Sequence, residues 1–236
     1  MIDFTKKMKK SDAKKNDNPI DIYESLDRTS LAGPLRVSQE KVLRKWYEGK
    51  IDKKDTIIKL HTGEGKTLIG LLILLTKLNR KEGPCVYICP NKYLVGQVCK
   101  EAVKFGIQVC TIGENNLLPN EFMSGNRILV THVQKMFNGK TIFGTGNLSE
   151  PIGAIVLDDA HACIDSIRDA FVIKIKRNKN RELYEKFLDL FEADLIEQGE
   201  GTFWDIKHND DYESLKMIPY WSWIEKKSLV LEILAS

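Results

Sequence analysis

The chain lacks any apolar run long enough to cross a bilayer. Its most apolar stretch, Leu68 to Leu75, falls far short of the roughly 20 residues a spanning helix needs. The lysines near the N-terminus are not followed by an apolar core, so the start does not read as a secretory signal. The chain holds five cysteines (Cys85, Cys89, Cys99, Cys110 and Cys163) and no CxxC pair. An odd number of thiols in apolar surroundings predicts free cysteines in a reducing compartment, and hence a cytoplasmic protein. Histidine is scarce too. His61, His132, His161 and His208 are scattered without metal-ligand spacing, which argues against a zinc site. Nor does charge of one sign dominate. Thirty-six basic side chains stand against 33 acidic ones, so net charge alone does not name a partner.

What is present is an ordinary globular balance, with 42% hydrophobic and 29% charged residues over 236 positions. That is enough for one large α/β domain with a proper core. Residues 1–18 are polar and lysine-rich. They predict a disordered arm, either a solvated tail or a basic arm touching phosphates. From about residue 35 helical and strand-like segments alternate. Helical spacing covers Val37 to Tyr47, Lys66 to Asn79, Asn91 to Phe105 and a short piece near Val133 to Phe137. Strand-like runs cover Thr56 to Leu60, Cys85 to Cys89, Ile107 to Ile112, Arg127 to Thr131 and Ile155 to Leu157. This alternation predicts a parallel sheet flanked by helices on both faces, within a domain spanning 19–165. Residues 166–236 read as a helical extension, with helices over Arg181 to Ile196 and Trp221 to Leu234 around an acidic, turn-rich segment.

The strongest local signal is His61-Thr62-Gly63-Glu64-Gly65-Lys66-Thr67, between a predicted strand and a predicted helix. A loop there aims backbone N–H groups at a polyphosphate. Gly63 and Gly65 permit close approach and unusual φ. Lys66 supplies a point charge for the β- and γ-phosphates, and the Thr67 hydroxyl is a Mg²⁺ ligand. The general GxxxxGK[ST] pattern would have a glycine where this chain has Leu60.

Asp158-Asp159-Ala160-His161 follows an apolar strand, so its carboxylates face the crevice where parallel sheets bind ligands. Asp158 is the candidate Mg²⁺ holder, and Asp159 the group that orients or deprotonates water. Either aspartate also reads as an N-cap for the next helix. Upstream phosphate-loop residues tip the balance toward chemistry.

Together these motifs resemble the first motor domain of the superfamily 2 helicases, the DEAD/DEAH-box group, over about residues 35–165. Thr62 to Thr67 matches its phosphate motif, and Asp158 to His161 its DExH box. The resemblance implies a RecA-like P-loop fold that binds ATP and Mg²⁺. It puts Gln39, within Leu35-Arg36-Val37-Ser38-Gln39, in the place of the adenine-reading glutamine. It puts Asn91 and Lys92 (within Pro90 to Gln97) together with Thr131 and His132 against a nucleic-acid backbone. It makes Lys66, Asp158, Asp159 and His161 catalytic. Asp159 replaces the family's glutamate and is one methylene shorter, which predicts slower hydrolysis. No Ser-Ala-Thr motif follows Asp159, and the family's arginine-rich second domain has no counterpart here. The expected partners are therefore DNA or RNA and a second RecA-like domain, with no membrane. The leading expectation is the ATP-binding half of a helicase or translocase. A SecA-like protein translocase, which shares Thr-Gly-Glu-Gly-Lys-Thr, and a non-catalytic ATP-binding module are the alternatives. Trp204, Trp221 and Trp223 are read as packing residues rather than base-stacking ones, and Trp46 as packing its helix against the sheet.

Overall fold

The computed structural model describes residues 15–61, 63–208 and 214–235. The expected disordered arm falls mostly on residues outside these. The chain divides into two compact units, one ending at Phe171 and one starting at Val172. The first contains α1 (Pro19–Ser25), α2 (Val37–Gly49), α3 (Lys66–Asn79), β1 (Cys85–Cys89), α4 (Lys92–Lys104) and β2 (Val109–Cys110). It continues with α5 (Asn120–Met123), β3 (Ile128–His132), α6 (Val133–Met136), a 3₁₀ turn (Gly146–Leu148), β4 (Ala154–Leu157) and α7 (Ala160–Ala170).

The four strands form one parallel sheet in the order β2-β3-β1-β4. β1 is interior and buried along its whole length, so its residues serve both faces in turn. Cys85, Tyr87 and Cys89 join a core built with α1, α2, α3 and α4. Val86 and Ile88 join a second core with Phe122, Val133, Phe143 and Cys163, contributed largely by α5, α6 and α7. Helices thus cover both faces, as expected of a RecA-like α/β fold. α3 is apolar nearly all round because it is enclosed: Leu71, Leu72 and Leu74 are fully buried against the sheet, α1 and α2. Each such side chain contributes about 1.5–3 kcal/mol by leaving water. Trp46 is buried in the same core, as predicted.

The N-terminal end of this unit is pinned by side-chain polar contacts. The Asn18 side chain accepts from Ile20 N at 2.9 Å and caps α1. Asn79 donates to the Asn16 carbonyl at 2.7 Å, and Tyr47 to Asp17 at 2.9 Å.

Two expectations change here. Thr56 to Leu60 forms no strand. Ile57 is 95% exposed, while Ile58 and Leu60 lean on the core. A β-prone run becomes a strand only beside a ladder. Thr56 to Leu60 lies in register with none of the four strands, so its backbone has no ladder to join. The predicted strand Ile107 to Ile112 shrinks to Val109–Cys110, because only that stretch lies against β3.

The second unit is helical: α8 (Arg181–Leu190), α9 (Glu192–Glu197), α10 (Glu200–His208), α11 (Tyr220–Glu225) and α12 (Lys227–Ala235). Its core is small, with Phe191, Leu195 and Phe203 buried. Each of the two predicted helices is broken into two, and the segment read as acidic and turn-rich holds α10. Asp194 ties this unit together by accepting from Ser222 Oγ at 2.7 Å and Lys226 Nζ at 2.6 Å. Trp223 packs on Phe191, with ring centroids 4.6 Å apart, and Trp204 stacks on His208. Trp221 departs from the packing expectation, being 55% exposed.

All five cysteines are free. Burial pushes the Cys85 and Cys89 thiols up to about 12, and those of Cys110 and Cys163 to about 11. The thiolate is the reactive form, so a disulfide reagent at pH 8 is expected to label the native chain slowly at these four. Labelling should become rapid and complete in denaturant. Fast native labelling of Cys85 or Cys89, mapped by mass spectrometry, would contradict the packing described.

Candidate nucleotide site

The site is assembled where α3 begins. Gly65 caps that helix in the left-handed region, φ 75° and ψ 43°, and Gly63 has φ 86°. Thr62 lies outside the described residues. The turn delivers the first amides of α3, which have no partner within the helix, to the side where Lys66 and Thr67 sit. Lys66, His61 and Gly63 are exposed, while Glu64, Gly65 and Thr67 are half-buried.

A strap from the start of α2 holds this loop. Arg36 donates through its guanidinium to the Gly63 carbonyl at 2.5 Å. Ser38 Oγ donates to the Glu64 carboxylate. Gln39 is buried, and its amide is used at both ends. Its Nε2 donates to the Glu64 carbonyl at 3.2 Å, and its Oε1 accepts from Arg36 N at 2.9 Å. Gln39, expected at adenine, therefore touches the phosphate loop itself. Arg36 and Ser38 were not singled out from sequence; their only signal was adjacency to Gln39. A Cβ at Gly65 would stand 2.1 Å from Gln39 Nε2, so the strap and the turn both require glycine there.

Asp158 lies where β4 ends, its N–H donating to the Ile88 carbonyl of β1 at 2.9 Å. Burial pushes its carboxyl above the usual range. A hydrogen bond from Tyr87, one from the Asp159 backbone and the nearby Lys66 charge oppose that rise. Lys66 and Asp158, from different elements, are thus brought into one electrostatic neighbourhood. Asp159 takes φ 46° and ψ 71°, uncommon for a side chain with Cβ. It occupies the N-cap position of α7, yet its side chain makes no capping bond. The simple capping role therefore does not account for it. Cys163 steadies this turn from below, its N–H donating to the Asp159 carbonyl at 3.0 Å and its thiol to the Asp158 carbonyl at 3.0 Å. His161 is exposed in the first turn of α7.

The four residues expected at nucleic acid lie at the same rim, since parallel strands all end there and Cys89 is in register with His132. Asn91 caps α4, accepting from Leu94 N at 3.2 Å, and Lys92 is exposed. The His132 ring meets Gln134 at 2.7 Å. Thr131 is only 3% exposed, so its side chain is not presented to solvent.

The donor set fits a nucleotide with its cation. A left-handed glycine turn opens onto a helix N-terminus, with a lysine, a hydroxyl and an acidic side chain gathered around it. No cluster of three potential metal-binding side chains occurs among the described residues, so any cation would share its shell with phosphate oxygens.

Fold and site define a RecA-like, P-loop type α/β domain. The sequence profile of the DEAD/DEAH box helicases matches residues 36–187, more than half of the chain. The chain belongs to the DEAD/DEAH box helicase family, a family of nucleic-acid-dependent ATPases. Neither a curated protein nor a solved structure matches it. No described helix is long and apolar enough to cross a membrane.

Two substitutions test this geometry. Gly65→Ala should lower stability by about 1–2 kcal/mol through the left-handed backbone alone, and more through the clash with Gln39, as read by urea unfolding. Asp158→Asn should raise Tm at pH 7. The folded pKa of Asp158 lies above its unfolded value, so its stabilising contribution is full below the unfolded pKa and lost as pH rises through the folded one. At neutral pH the ionised group costs stability, and the amide removes that cost. An unchanged or lower Tm would contradict the burial assigned to Asp158.

Proposed function

We propose that this chain is the ATP-binding part of a motor that couples ATP hydrolysis to movement along, or unwinding of, DNA or RNA in the cytoplasm. The observation that carries the reading is the convergence of Lys66, Thr67 and Asp158, from two separated segments, beside the left-handed turn at Asp159. Strained backbone at a non-glycine residue costs on the order of 1–3 kcal/mol and gathers at functional sites.

In this reading the Gly63–Gly65 turn and the first amides of α3 cradle the phosphates. Lys66 binds the β- and γ-phosphates, and Gln39 couples the adenine side of the site to the loop. Thr67 and Asp158 hold the Mg²⁺ that accompanies ATP, whose charge would offset that of the phosphate oxygens. Asp159 accepts the proton of the attacking water as the bond from the γ-phosphorus to the ADP oxygen breaks. His161 flanks that water from the first turn of α7. Asn91, Lys92 and His132 meet the strand's phosphates at the opposite part of the rim, with Thr131 supporting them from the sheet. A second RecA-like domain would close over the nucleotide and complete the charge neutralisation. An arginine supplied in this manner accelerates phosphoryl transfer by about 10³–10⁵, so this chain alone should bind ATP far better than it hydrolyses it.

Calorimetric titration with Mg²⁺–ATP, beside Lys66→Ala, tests the reading. Saturable binding that the variant loses is the expected result. Turnover by the motor reconstituted with its second domain should rise with single-stranded nucleic acid and fall by about 10²-fold or more in Asp159→Asn. Stimulation by unfolded polypeptide instead would make it a protein translocase. Binding with no stimulation by either polymer would make it a non-catalytic module.

A further inference from the structure

The side-chain amide of Gln39 can read a base or brace a loop, and the two uses compete for the same two atoms. Adenine differs from guanine at its N6 amino group beside N7. A glutamine reads that edge bidentately, with Oε1 accepting and Nε2 donating. Both atoms must then face the base together. In this chain both are committed within the protein. Nε2 donates to the Glu64 carbonyl at 3.2 Å, and Oε1 accepts from Arg36 N at 2.9 Å. Each atom keeps one further bonding position. The residue is only 5% exposed, however, which leaves no open edge for a bidentate pair.

The flanking side chains serve the same loop. The Arg36 guanidinium donates to the Gly63 carbonyl at 2.5 Å, and the Ser38 hydroxyl donates to the Glu64 carboxylate. Three side chains at the start of α2 thus converge on two consecutive residues of the phosphate loop. A Cβ on Gly65 would collide with Gln39 Nε2, so the amide lies directly against the turn. The C=O and N–H of a trans peptide point in opposite directions. Holding the Glu64 carbonyl toward α2 therefore turns the Gly65 N–H to the other side of the loop, as a donor for phosphate. Swinging Gln39 out to a base would break both of its bonds and strand the Glu64 carbonyl and the Arg36 N–H, which costs stability.

We infer that Gln39, together with Arg36 and Ser38, positions the phosphate loop and does not read the base, so the site takes nucleoside triphosphates through their phosphates without selecting adenine. This role rests on the nucleotide-site reading above and replaces the adenine contact expected of Gln39. It makes GTP a ligand equivalent to ATP.

The test is calorimetry on the full chain with Mg²⁺–ATP, Mg²⁺–GTP and Mg²⁺–tripolyphosphate, for wild type, Gln39→Ala and Ser38→Ala. Inorganic tripolyphosphate carries the phosphates and no base. The wild type should bind ATP and GTP within about twofold of one another, as expected where no hydrogen bond to the base is made. Gln39→Ala should weaken all three ligands by a common factor of about fivefold, the worth of one hydrogen bond, and leave the ATP to GTP ratio unchanged. Ser38→Ala keeps the amide and should act in the same direction on all three. A wild-type preference for ATP over GTP of about tenfold or more, the discrimination a bidentate pairing gives, overturns the inference. Unchanged tripolyphosphate binding in Gln39→Ala, or weakening confined to ATP, also overturns it, since the glutamine would then act on the base. If Gln39→Ala fails to fold, the wild-type ratio and Ser38→Ala still test the inference. A folded wild-type chain that binds none of the three ligands overturns the nucleotide-site reading, and this role with it.

Discussion

The close seat of α3 on the sheet governs most of what surrounds it. The helix runs for 14 residues and is apolar on nearly every side, so it is stable only when enclosed. The sheet encloses it from one side, with α1 and α2 on the other. At Gly70 the approach is close enough that any side chain would meet Tyr87 and Val156. Once seated there, the helix has a fixed start at Lys66. The unpartnered amides of its first turn then fall at the rim where β1, β3 and β4 end. A site for phosphate is a consequence of that packing.

Around this fixed helix the phosphate loop is held by side chains from a different segment. Arg36, Ser38 and Gln39 all bond to Gly63 or Glu64. The loop is therefore not an independent turn; its shape is shared with the start of α2. On the other side, Asp159 holds a left-handed backbone beneath which Cys163 supplies two bonds. Backbone strain and a half-buried carboxylate both work against stability. They persist because the cores on the two faces of the sheet over-determine the position of β4 and α7.

The second unit has a different balance. Its buried apolar core among the described residues is Phe191, Leu195 and Phe203, and its polar ties converge on Asp194 and Lys207. Asp194 has its carboxyl held below the usual range by Lys226 and Ser222. α12 carries exposed Leu229, Leu231 and Leu234. The family profile extends past Phe171 to residue 187, so the first helix of this unit begins within the matched region.

Local periodicity and punctuation were enough to read α3, β1 and the alternation of the first unit, because each is set by short-range chemistry. Pro90 stops β1, Gly65 starts α3, and a continuous apolar stretch can only be interior. The phosphate loop and the paired aspartates were legible for the same reason, as residue types in a fixed local order. The fate of Thr56 to Leu60 was not legible, since a strand exists only with a partner that lies elsewhere in the chain. Nor was the bonding of Gln39 to Glu64, the burial of Thr131 or the uncapped carboxylate of Asp159. Those depend on distances between segments separated by many residues. The sequence determined which groups were available and which helices and strands would carry them. Only the tertiary structure decided which of those groups meet, because meeting depends on how closely α3 can approach the sheet.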